Sequence, residues 1–282
     1  MSVLEDSILK DGPLRGGARD DGGRARPDGT VWFRTVKRCA APRVRLLCFP
    51  HAGGAASFFR DWAGRVPDDV EVLAVRYPGR EDRLFDELPS SLEEMGGLVA
   101  DACGPFLDAP LALFGHSMGA SVAYETALRL RRAGAPAPTA LFVSARTAPG
   151  QEFPRPFTYN EVSELLEHVE SLGGTGRDAL RDPDVLDLVL PSLRGDYHLV
   201  GRYRGAVEEG ALSLPVVAYF GTGDPHAGRE VVAHWASVTS GGFSLRAFDG
   251  DHFYLREHRD ALLTDLFGRL EQVGRGGPGT AV

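Results

Sequence analysis

The chain has 282 residues, of which 43% are hydrophobic and 25% are charged, and its formal net charge is −8 at pH 7. These fractions are typical of a folded globular protein, and they exclude a collagen-like, wholly disordered or disulfide-stapled chain. The negative charge argues against a general nucleic-acid-binding surface, so we expect no nucleic acid among the partners.

Three cysteines, Cys39, Cys48 and Cys103, are too few and too irregularly spaced for a disulfide framework or a structural zinc site. We therefore expect reduced thiols and no bound metal. The first residues are acidic and lack the apolar run of a signal peptide, and no apolar stretch approaches the length of about 18 residues that a membrane span needs. We expect a cytoplasmic, monomeric protein that does not bind membranes.

The two ends of the chain differ in composition from the rest. Residues 11–29 hold six glycines, four aspartates and four arginines, with almost no large apolar residues. Such a segment buries too little surface to offset the entropy lost on ordering. We predict that residues 1–30 form a disordered extension, that the folded domain covers residues 31–273, and that residues 274–282 form a disordered tail.

Apolar runs that predict strands alternate with segments of helical periodicity. The predicted strands are Val44–Phe49, Val70–Tyr77, Leu111–Phe114, Ala140–Ser144, Val216–Phe220 and, nearer an edge, Phe243–Phe248. The predicted helices between them are Leu92–Phe106, Met118–Ala133 and Leu255–Val273. Buried strands that alternate with helices indicate an α/β fold with a mainly parallel sheet flanked by helices.

Residues 149–212, approximately, interrupt this alternation with helical patterns and no convincing strand. Between Val162 and Leu172 the apolar residues fall on one helical face, while Asp184–Leu193 and Tyr197–Tyr203 predict two further short helices. The segment is a helical insertion between two strands. It either adds packing or forms a lid over a site at the strand ends, and we predict a lid that limits the depth of a pocket.

The motif that indicates chemistry is Gly115-His116-Ser117-Met118-Gly119, which follows a predicted strand and opens a predicted helix. Strand, turn and helix in this order form a nucleophile elbow, in which a strained turn presents the serine hydroxyl at the sheet edge. A Cβ at either glycine would crowd the turn and the facing strand. Ser117 is the predicted nucleophile, and we expect His116 to pack behind the elbow. The alternative is a structural glycine-rich turn.

A serine needs a base to remove its proton, and in hydrolases of this architecture the order along the chain is serine, acid, histidine. Asp224 comes just after the strand that ends at Phe220, and His252 lies between the strand that ends at Phe248 and the final helix. Both residues are therefore expected on loops at the same sheet edge as Ser117. We predict a catalytic triad of Ser117, Asp224 and His252.

Rival residues for the triad are weaker candidates. The other usual position for the acid, after the strand that ends at Ser144, holds no carboxylate. Asp249 and Asp251 remain open as alternative acids, although a neighbour in sequence rarely reaches the histidine Nδ1 atom. We expect His168, in the insertion, to be an ordinary surface or packing residue, and His226 to lie too close to Asp224 to act as the base.

A third motif, Phe-Pro-His-Ala-Gly-Gly-Ala-Ala at positions 49–56, follows an early central strand. This is the place of the loop that donates one oxyanion-hole amide in α/β-hydrolases. We predict that the backbone N–H groups of Ala52 and Met118 form the oxyanion hole, with Gly53 as the alternative donor. A structural glycine turn is the other interpretation.

Together these motifs resemble the type II thioesterases that accompany polyketide synthases and nonribosomal peptide synthetases, which belong to the α/β-hydrolase superfamily. The resemblance covers about residues 31–272. It rests on Phe-Pro-His-Ala-Gly-Gly at 49–54, Tyr-Pro-Gly-Arg at 77–80, Gly-His-Ser-Met-Gly at 115–119, Gly-Thr-Gly-Asp at 221–224 and Gly-Asp-His-Phe at 250–253. The first 30 residues have no counterpart in the family pattern.

The resemblance implies a substrate, an acyl thioester on the phosphopantetheine arm of a carrier protein, and a role in clearing stalled or wrongly primed acyl groups from the assembly line. The residues themselves predict serine acyl transfer through an acyl-enzyme on Ser117, with no metal or bound cofactor. Two alternatives remain: a serine hydrolase of free small esters or acyl-CoA, and a non-catalytic binding protein with this fold.

The implied partner is an acyl or peptidyl carrier protein. Carrier proteins are usually acidic, and this chain has a net charge of −8, so it would need a local basic patch to bind a carrier protein. Two clusters could supply it: Arg80 with Arg83, or Arg129, Arg131 and Arg132 at the end of the helix after Ser117. Arginines at the C-terminal end of a helix also simply complement the helix dipole.

Overall fold

The computed structural model describes residues 31–151, 161–173, 182–205 and 212–275. Seven strands in these ranges form one sheet. They are β1 (Phe33–Lys37), β2 (Val44–Phe49), β3 (Val70–Val75), β4 (Leu111–His116), β5 (Ala140–Ser144), β6 (Val216–Gly221) and β7 (Phe243–Phe248). Their order is β1-β3-β2-β4-β5-β6-β7. Only the β1–β3 pair is antiparallel among them, so the predicted α/β fold with a mainly parallel sheet is confirmed.

Burial along the strands explains which of them the sequence reveals. Strands β2 to β6 are buried at every position, because other parts of the chain cover both faces of the sheet, and they appear in the sequence as apolar-rich runs, with Arg45 in β2 and Glu71 in β3 as charged exceptions. Strand β7 is half-buried at one edge and was also predicted. Strand β1, at the other edge, was not predicted because its five residues, Phe-Arg-Thr-Val-Lys, hold only two apolar side chains and show neither an apolar run nor an alternation.

Six α-helices accompany the sheet in the described ranges. They are α1 (Leu92–Ala102), α2 (Met118–Arg132), α3 (Val162–Ser171), α4 (Pro183–Arg202), α5 (Arg229–Ala233) and α6 (Arg259–Arg275). Helix α1 begins where the Ser91 side chain accepts a hydrogen bond from the Glu94 amide, and it packs closely on α2. A Cβ at Gly96 would lie 2.5 Å from the Glu125 Cβ, so this glycine permits the close approach of the two helices.

Two predicted helix boundaries were wrong. The segments predicted as two short helices form the single helix α4, which starts at Pro183 after the capping side chain of Asp182 and continues through Pro191. The final helix begins at Arg259 rather than Leu255, because the chain after His252 makes turns before the helix starts, and it ends at Arg275. It thus runs past the predicted domain end at residue 273.

The insertion between β5 and β6 contributes α3 and α4. Leu165 of α3 and Leu193 and Tyr197 of α4 form a small apolar cluster, and Ala52 in the loop after β2 packs against it. The insertion is thereby attached to a loop at the carboxyl ends of the parallel strands. The predicted disordered segment at residues 1–30 and the tail beyond Arg275 lie outside the described residues. No helix within the described ranges is long and apolar enough to cross a membrane.

Candidate active site

Ser117 lies in the turn between β4 and α2 with φ 55° and ψ −123°, a backbone conformation that residues other than glycine rarely adopt. Its N–H donates to the Ser144 carbonyl at the end of β5, at 2.8 Å. A Cβ at Gly115 would lie 2.2 Å from the Gly119 carbonyl oxygen, and a Cβ at Gly119 would lie 2.1 Å from the Phe49 carbonyl oxygen. The strained turn therefore requires both glycines, for the steric reason that the sequence suggested.

Asp224 and His252, 28 residues apart in sequence, meet in the structure. His252 Nδ1 and Asp224 Oδ2 are 2.6 Å apart, and both side chains are buried. The other carboxylate oxygen of Asp224, Oδ1, accepts hydrogen bonds from the amides of His226 at 2.9 Å and Ala227 at 3.1 Å. Burial alone would raise the pKa of Asp224, but the hydrogen bond from His252, its charge and the two amide bonds together lower that pKa below its ordinary value.

Backbone contacts hold the loop of the acid against the loop of the histidine. The Gly223 N–H donates to the Gly250 carbonyl at 2.8 Å, and the Thr222 N–H donates to the Phe248 carbonyl at 2.8 Å. The alternative acids have other partners. Asp249 accepts from the Thr222 hydroxyl at 3.4 Å, and Asp251 accepts from the Phe253 amide at 2.7 Å. The structure therefore brings Asp224 to His252, and not Asp249 or Asp251, which are nearer to His252 in sequence.

The surroundings of Nε2, the second ring nitrogen of His252, indicate the chemistry of the site. His252 Nε2 is buried and has no hydrogen-bond partner among the described residues. Ser117 and His252 line the same cavity of about 70 Å³. The other lining residues come from the loop after β2, the end of β5, the insertion and the segment after β6: Ala52, Ala145, Arg146, Thr147, His168, Leu172, Tyr197, Val200, Gly201, Arg204, His226 and Ala227.

The two predicted oxyanion donors belong to different elements next to the site. Ala52 lines the cavity, and Met118 is the first residue of α2, where backbone N–H groups have no intrahelical acceptor. The alternative donor, Gly53, is occupied, because its N–H donates to Asp196 Oδ2 at 2.7 Å. Of the two candidates that the sequence left open in this loop, the geometry favours Ala52.

Two histidines next to the site do not line the cavity: His116, which is buried, and His51, which is partly buried. His116 Nδ1 lies 2.9 Å from the Ser144 hydroxyl oxygen, which in turn lies 2.7 Å from the Tyr254 hydroxyl oxygen. The His51 ring packs edge-on against Phe58, with ring centroids 4.7 Å apart. Burial, with smaller contributions from nearby positive charge, lowers the pKa of His116 well below its ordinary value and that of His51 to about 3. Both imidazoles are therefore neutral packing groups near pH 7, as expected for His116.

The expectation that His168 is an ordinary surface or packing residue was wrong. His168 lines the cavity from α3, and its ring lies 5.1 Å from that of His226 and 5.4 Å from that of Tyr197. Burial lowers the pKa of His168 to about 4. Its place at the site depends on how α3 packs over the sheet, for which a single histidine at a helical position gives no signal.

The first of the two candidate docking clusters, Arg80 with Arg83, is excluded by burial. Both guanidinium groups are buried: Arg80 pairs with Asp196 of α4, and Arg83 pairs with Asp86 and lies 4.3 Å from the Trp32 ring centroid. Neither is available to a partner protein. The other cluster lies about 18 Å (Arg129) to 22 Å (Arg132) from Ser117 along the axis of α2.

The described ranges hold no group of three or more histidine, cysteine, aspartate or glutamate side chains placed to bind a metal ion. The three cysteines are free thiols, two of them buried.

Comparison with known proteins gives consistent matches. A family model for the thioesterase domain matches residues 44–270. Thioesterase PikA5 of Streptomyces venezuelae is 39% identical over 256 residues, which cover 90% of each chain. The structure of RedJ, a thioesterase from the prodiginine biosynthetic pathway of Streptomyces coelicolor, matches with a TM-score of 0.75 at 40% identity over 82% of this chain and 87% of that one. The type II thioesterase BorB from the borrelidin biosynthetic cluster matches with a TM-score of 0.77 at 36% identity, over 87% and 98% of the two chains.

Proposed function

Because this chain belongs to the thioesterase family, among the type II thioesterases of polyketide and nonribosomal peptide pathways, we propose that it hydrolyses acyl thioesters carried on the phosphopantetheine arm of a carrier protein. Its role is to clear aberrant or stalled acyl groups and so restore a blocked assembly line. The resemblance inferred from five short motifs is confirmed by the family match. The observation that most directly supports the chemistry is the cavity shared by Ser117 and the Asp224-paired His252.

The first half-reaction forms an acyl-enzyme. Ser117 Oγ attacks the thioester carbonyl carbon while His252 Nε2, which is buried without another partner among the described residues, takes the hydroxyl proton. Asp224 holds the imidazole by its Nδ1–H and stabilises the imidazolium that forms. When the tetrahedral intermediate collapses, the C–S bond breaks and the proton on Nε2 passes to the leaving thiolate of the phosphopantetheine arm.

Negative charge on the former carbonyl oxygen is stabilised by the amides of Ala52 and Met118. The strained turn at Ser117 directs the start of α2 toward the cavity, so the Met118 N–H adds the favourable end of a helix dipole to its hydrogen bond. Each such donor contributes a few kcal/mol to the transition state. Small residues in the loop after β2 allow its backbone to approach the substrate oxygen.

The second half-reaction returns the enzyme to its starting state. Water enters the position left by the thiol, and His252 Nε2 removes one of its protons as the oxygen attacks the acyl carbonyl carbon. The ester bond to Ser117 then breaks, the proton returns to Ser117 Oγ, and a carboxylic acid leaves. Every proton in this cycle is carried by His252, so the proposal requires no metal and no cofactor bound to this chain.

The proposed partner is an acyl or peptidyl carrier protein, approached by a monomer of this chain. Of the two arginine clusters that could attract an acidic carrier, only Arg129, Arg131 and Arg132 at the end of α2 remain candidates, because Arg80 and Arg83 are buried. Six residues that line the cavity lie in helices α3 and α4 or just after them. This supports a role for the insertion in selecting among acyl chains.

The decisive experiment compares the same acyl group on two carriers. Acetyl, propionyl and longer acyl groups are loaded onto a carrier protein and, separately, onto coenzyme A and N-acetylcysteamine, and the release rate is measured for each. We expect kcat/KM to be clearly higher for the protein-bound groups. Equal or higher values on the free thioesters would favour a hydrolase of small esters or acyl-CoA instead. Ser117→Ala must abolish release in every case, because full activity in that variant would rule out the acyl-enzyme.

A further inference from the structure

A buried ion pair connects the insertion to the core at the site. Arg80 Nη1 lies 2.6 Å from Asp196 Oδ2, and Arg80 Nη2 lies 2.8 Å from Asp196 Oδ1. The Asp196 side chain is fully buried and that of Arg80 is 7% exposed. Arg80 also donates to the Gly54 carbonyl at 3.1 Å and the Pro78 carbonyl at 3.1 Å. A bidentate pair of this kind has a fixed geometry, so it defines where α4 sits.

The same carboxylate holds the loop that carries Ala52. Asp196 Oδ2, besides its bond to Arg80, accepts the Gly53 N–H at 2.7 Å. Gly53 has φ +72°, and a Cβ there would lie 2.5 Å from Leu193 Cδ1, one helical turn before Asp196. The Ala52 side chain packs against the apolar cluster of the insertion. Two consecutive residues of the loop are therefore fixed by α4, one by a hydrogen bond and one by packing.

We propose that Asp196, held by Arg80, is a positioning residue for the oxyanion hole. By engaging the Gly53 N–H, it fixes the preceding peptide so that the Ala52 N–H is the amide directed at the substrate. Docking of α4 and completion of the oxyanion hole then depend on the same contacts. The inference rests on the proposed acyl-transfer role of Ala52 and extends it to a residue 144 positions later in the chain.

The physical reason is the mobility of a glycine peptide. Gly53 reaches its positive φ without a steric penalty, but it can also adopt many other conformations. A loop of small residues next to it cannot hold one amide orientation through side-chain packing alone. A charged acceptor, itself buried and held by a guanidinium, supplies that orientation before substrate arrives. A preorganised donor is what stabilises an oxyanion most strongly.

Two variants separate positioning from simple stability. Asp196→Leu leaves Arg80 buried without its partner, so the Tm is expected to fall together with kcat. In the double variant Arg80→Met with Asp196→Leu no buried charge remains, so the Tm is expected to recover toward the wild-type value. The Gly53 N–H still lacks its acceptor in that protein. We expect kcat to stay about 10- to 100-fold low with KM changed less than about threefold.

Recovery of kcat along with the Tm in the double variant would overturn the proposal, because the pair would then be purely structural. A boronic acid that mimics the tetrahedral intermediate gives an independent reading, since its affinity should fall by the same factor as kcat/KM. Should the leucine variants fail to fold, Asp196→Asn keeps the side-chain volume but faces Arg80 with an amide N–H₂ group. Its amide oxygen can still accept the Gly53 N–H, so we expect the Tm to fall while kcat stays within about threefold of wild type. A kcat loss of more than about 10-fold in Asp196→Asn would overturn the proposal, because the effect would then follow the ion pair and not the bond to Gly53.

The matched control is a second buried ion pair, formed by Arg45 and Glu71. Arg45 Nε lies 2.6 Å from Glu71 Oε2 near the start of β2 and β3, at the opposite end of the strands from Ser117. Glu71→Gln should lower the Tm by about 5–15 °C and leave kcat unchanged at a temperature well below the Tm. A kcat loss in Glu71→Gln equal to that of the Asp196→Leu variants would remove the evidence for a positioning role.

These assays use p-nitrophenyl acetate, a small ester that any serine hydrolase with an oxyanion hole can cleave. The outcome therefore does not depend on whether a carrier protein is the natural substrate. Failure of the proposed function would appear as a missing preference for the carrier-bound acyl group in the wild type. Failure of the present inference would appear as unimpaired ester cleavage in the double variant Arg80→Met with Asp196→Leu.

Discussion

The bonds around Asp224 determine what an asparagine would do in its place. Asp224 Oδ1 accepts two backbone N–H groups, and Oδ2 faces His252 Nδ1 at 2.6 Å. In Asp224→Asn the amide oxygen must keep the two N–H donors, because the reversed orientation would place its N–H₂ group against them. The N–H₂ group then faces Nδ1, which must become an acceptor. The imidazole proton moves to Nε2, where it blocks transfer from Ser117.

The loss follows from this wrong tautomer. An aspartate-to-asparagine change with the same effect in a serine protease lowers kcat about 10⁴-fold, and we expect a loss of that order, about 5 kcal/mol in the barrier. The volume of the side chain is unchanged, so the fold should be retained. The assay measures release of thiol from an acetyl thioester under single-turnover conditions, which reports acylation of Ser117 directly, with circular dichroism as a check of folding.

The control is Asp249→Asn. Asp249 is exposed and is nearer than Asp224 to His252 in sequence, but its carboxylate accepts a hydrogen bond from the Thr222 hydroxyl and does not meet His252. Its kcat should stay within about twofold of wild type, as is usual for surface changes. A folded Asp224→Asn protein that retained more than about a tenth of the wild-type rate would refute the reasoning. So would an Asp249→Asn variant that lost as much as Asp224→Asn.

Four further substitutions, one of them a control, test other parts of the structure. Gly119→Ala should lower the free energy of unfolding, measured in urea, by about 1–3 kcal/mol, because the new Cβ would lie 2.1 Å from the Phe49 carbonyl oxygen. The control Gly97→Ala has open space around its Cβ and should raise the free energy of unfolding by about 0.5–1 kcal/mol by stabilising α1. The pKa of His51 is about 3 in the folded protein and about 6.5 in the unfolded chain. As the pH drops from about 6.5 toward 3, the unfolded chain therefore binds a proton before the folded protein does, and the free energy of unfolding falls. The His51→Gln variant should show a smaller fall in Tm over that range. Val200→Ala widens the cavity by about two methylene groups and should shift the ratio of kcat/KM values toward longer acyl chains by about fourfold or more, and an unchanged ratio would contradict a role for α4 in selecting chain length.

The sequence was most informative where local chemistry and local structure coincide. Strands β2, β5 and β7 were predicted with their observed ends, because an apolar run bounded by polar or turn residues has only one way to be buried in a parallel sheet. The turn at Ser117 was predicted for the same kind of reason. Its two glycines, the strand before it and the helix after it all lie within a few residues of one another.

Errors and omissions arose where a feature depends on distant neighbours. Helix α4 was divided in two at residues 194–196, around Gly195, whereas packing of Leu193 and Tyr197 against Leu165 keeps the helix continuous across that interval. The interpretation of Arg80 as a surface residue failed because its partner, Asp196, lies 116 positions later in the chain. A sequence shows the charge of a guanidinium but not whether a carboxylate is folded against it.

The amino-acid sequence by itself determined the α/β architecture, the thioesterase resemblance and the three side chains that we propose for catalysis, since each rests on residue types at short spacing. Only the tertiary structure decided which aspartate meets His252, which amide of the loop after β2 remains available, and that a residue of the insertion holds that loop. The reason is physical: spacing along the chain fixes which groups are present and at which strand end, whereas hydrogen bonds at 2.6–2.8 Å are chosen by the packing of segments remote in sequence.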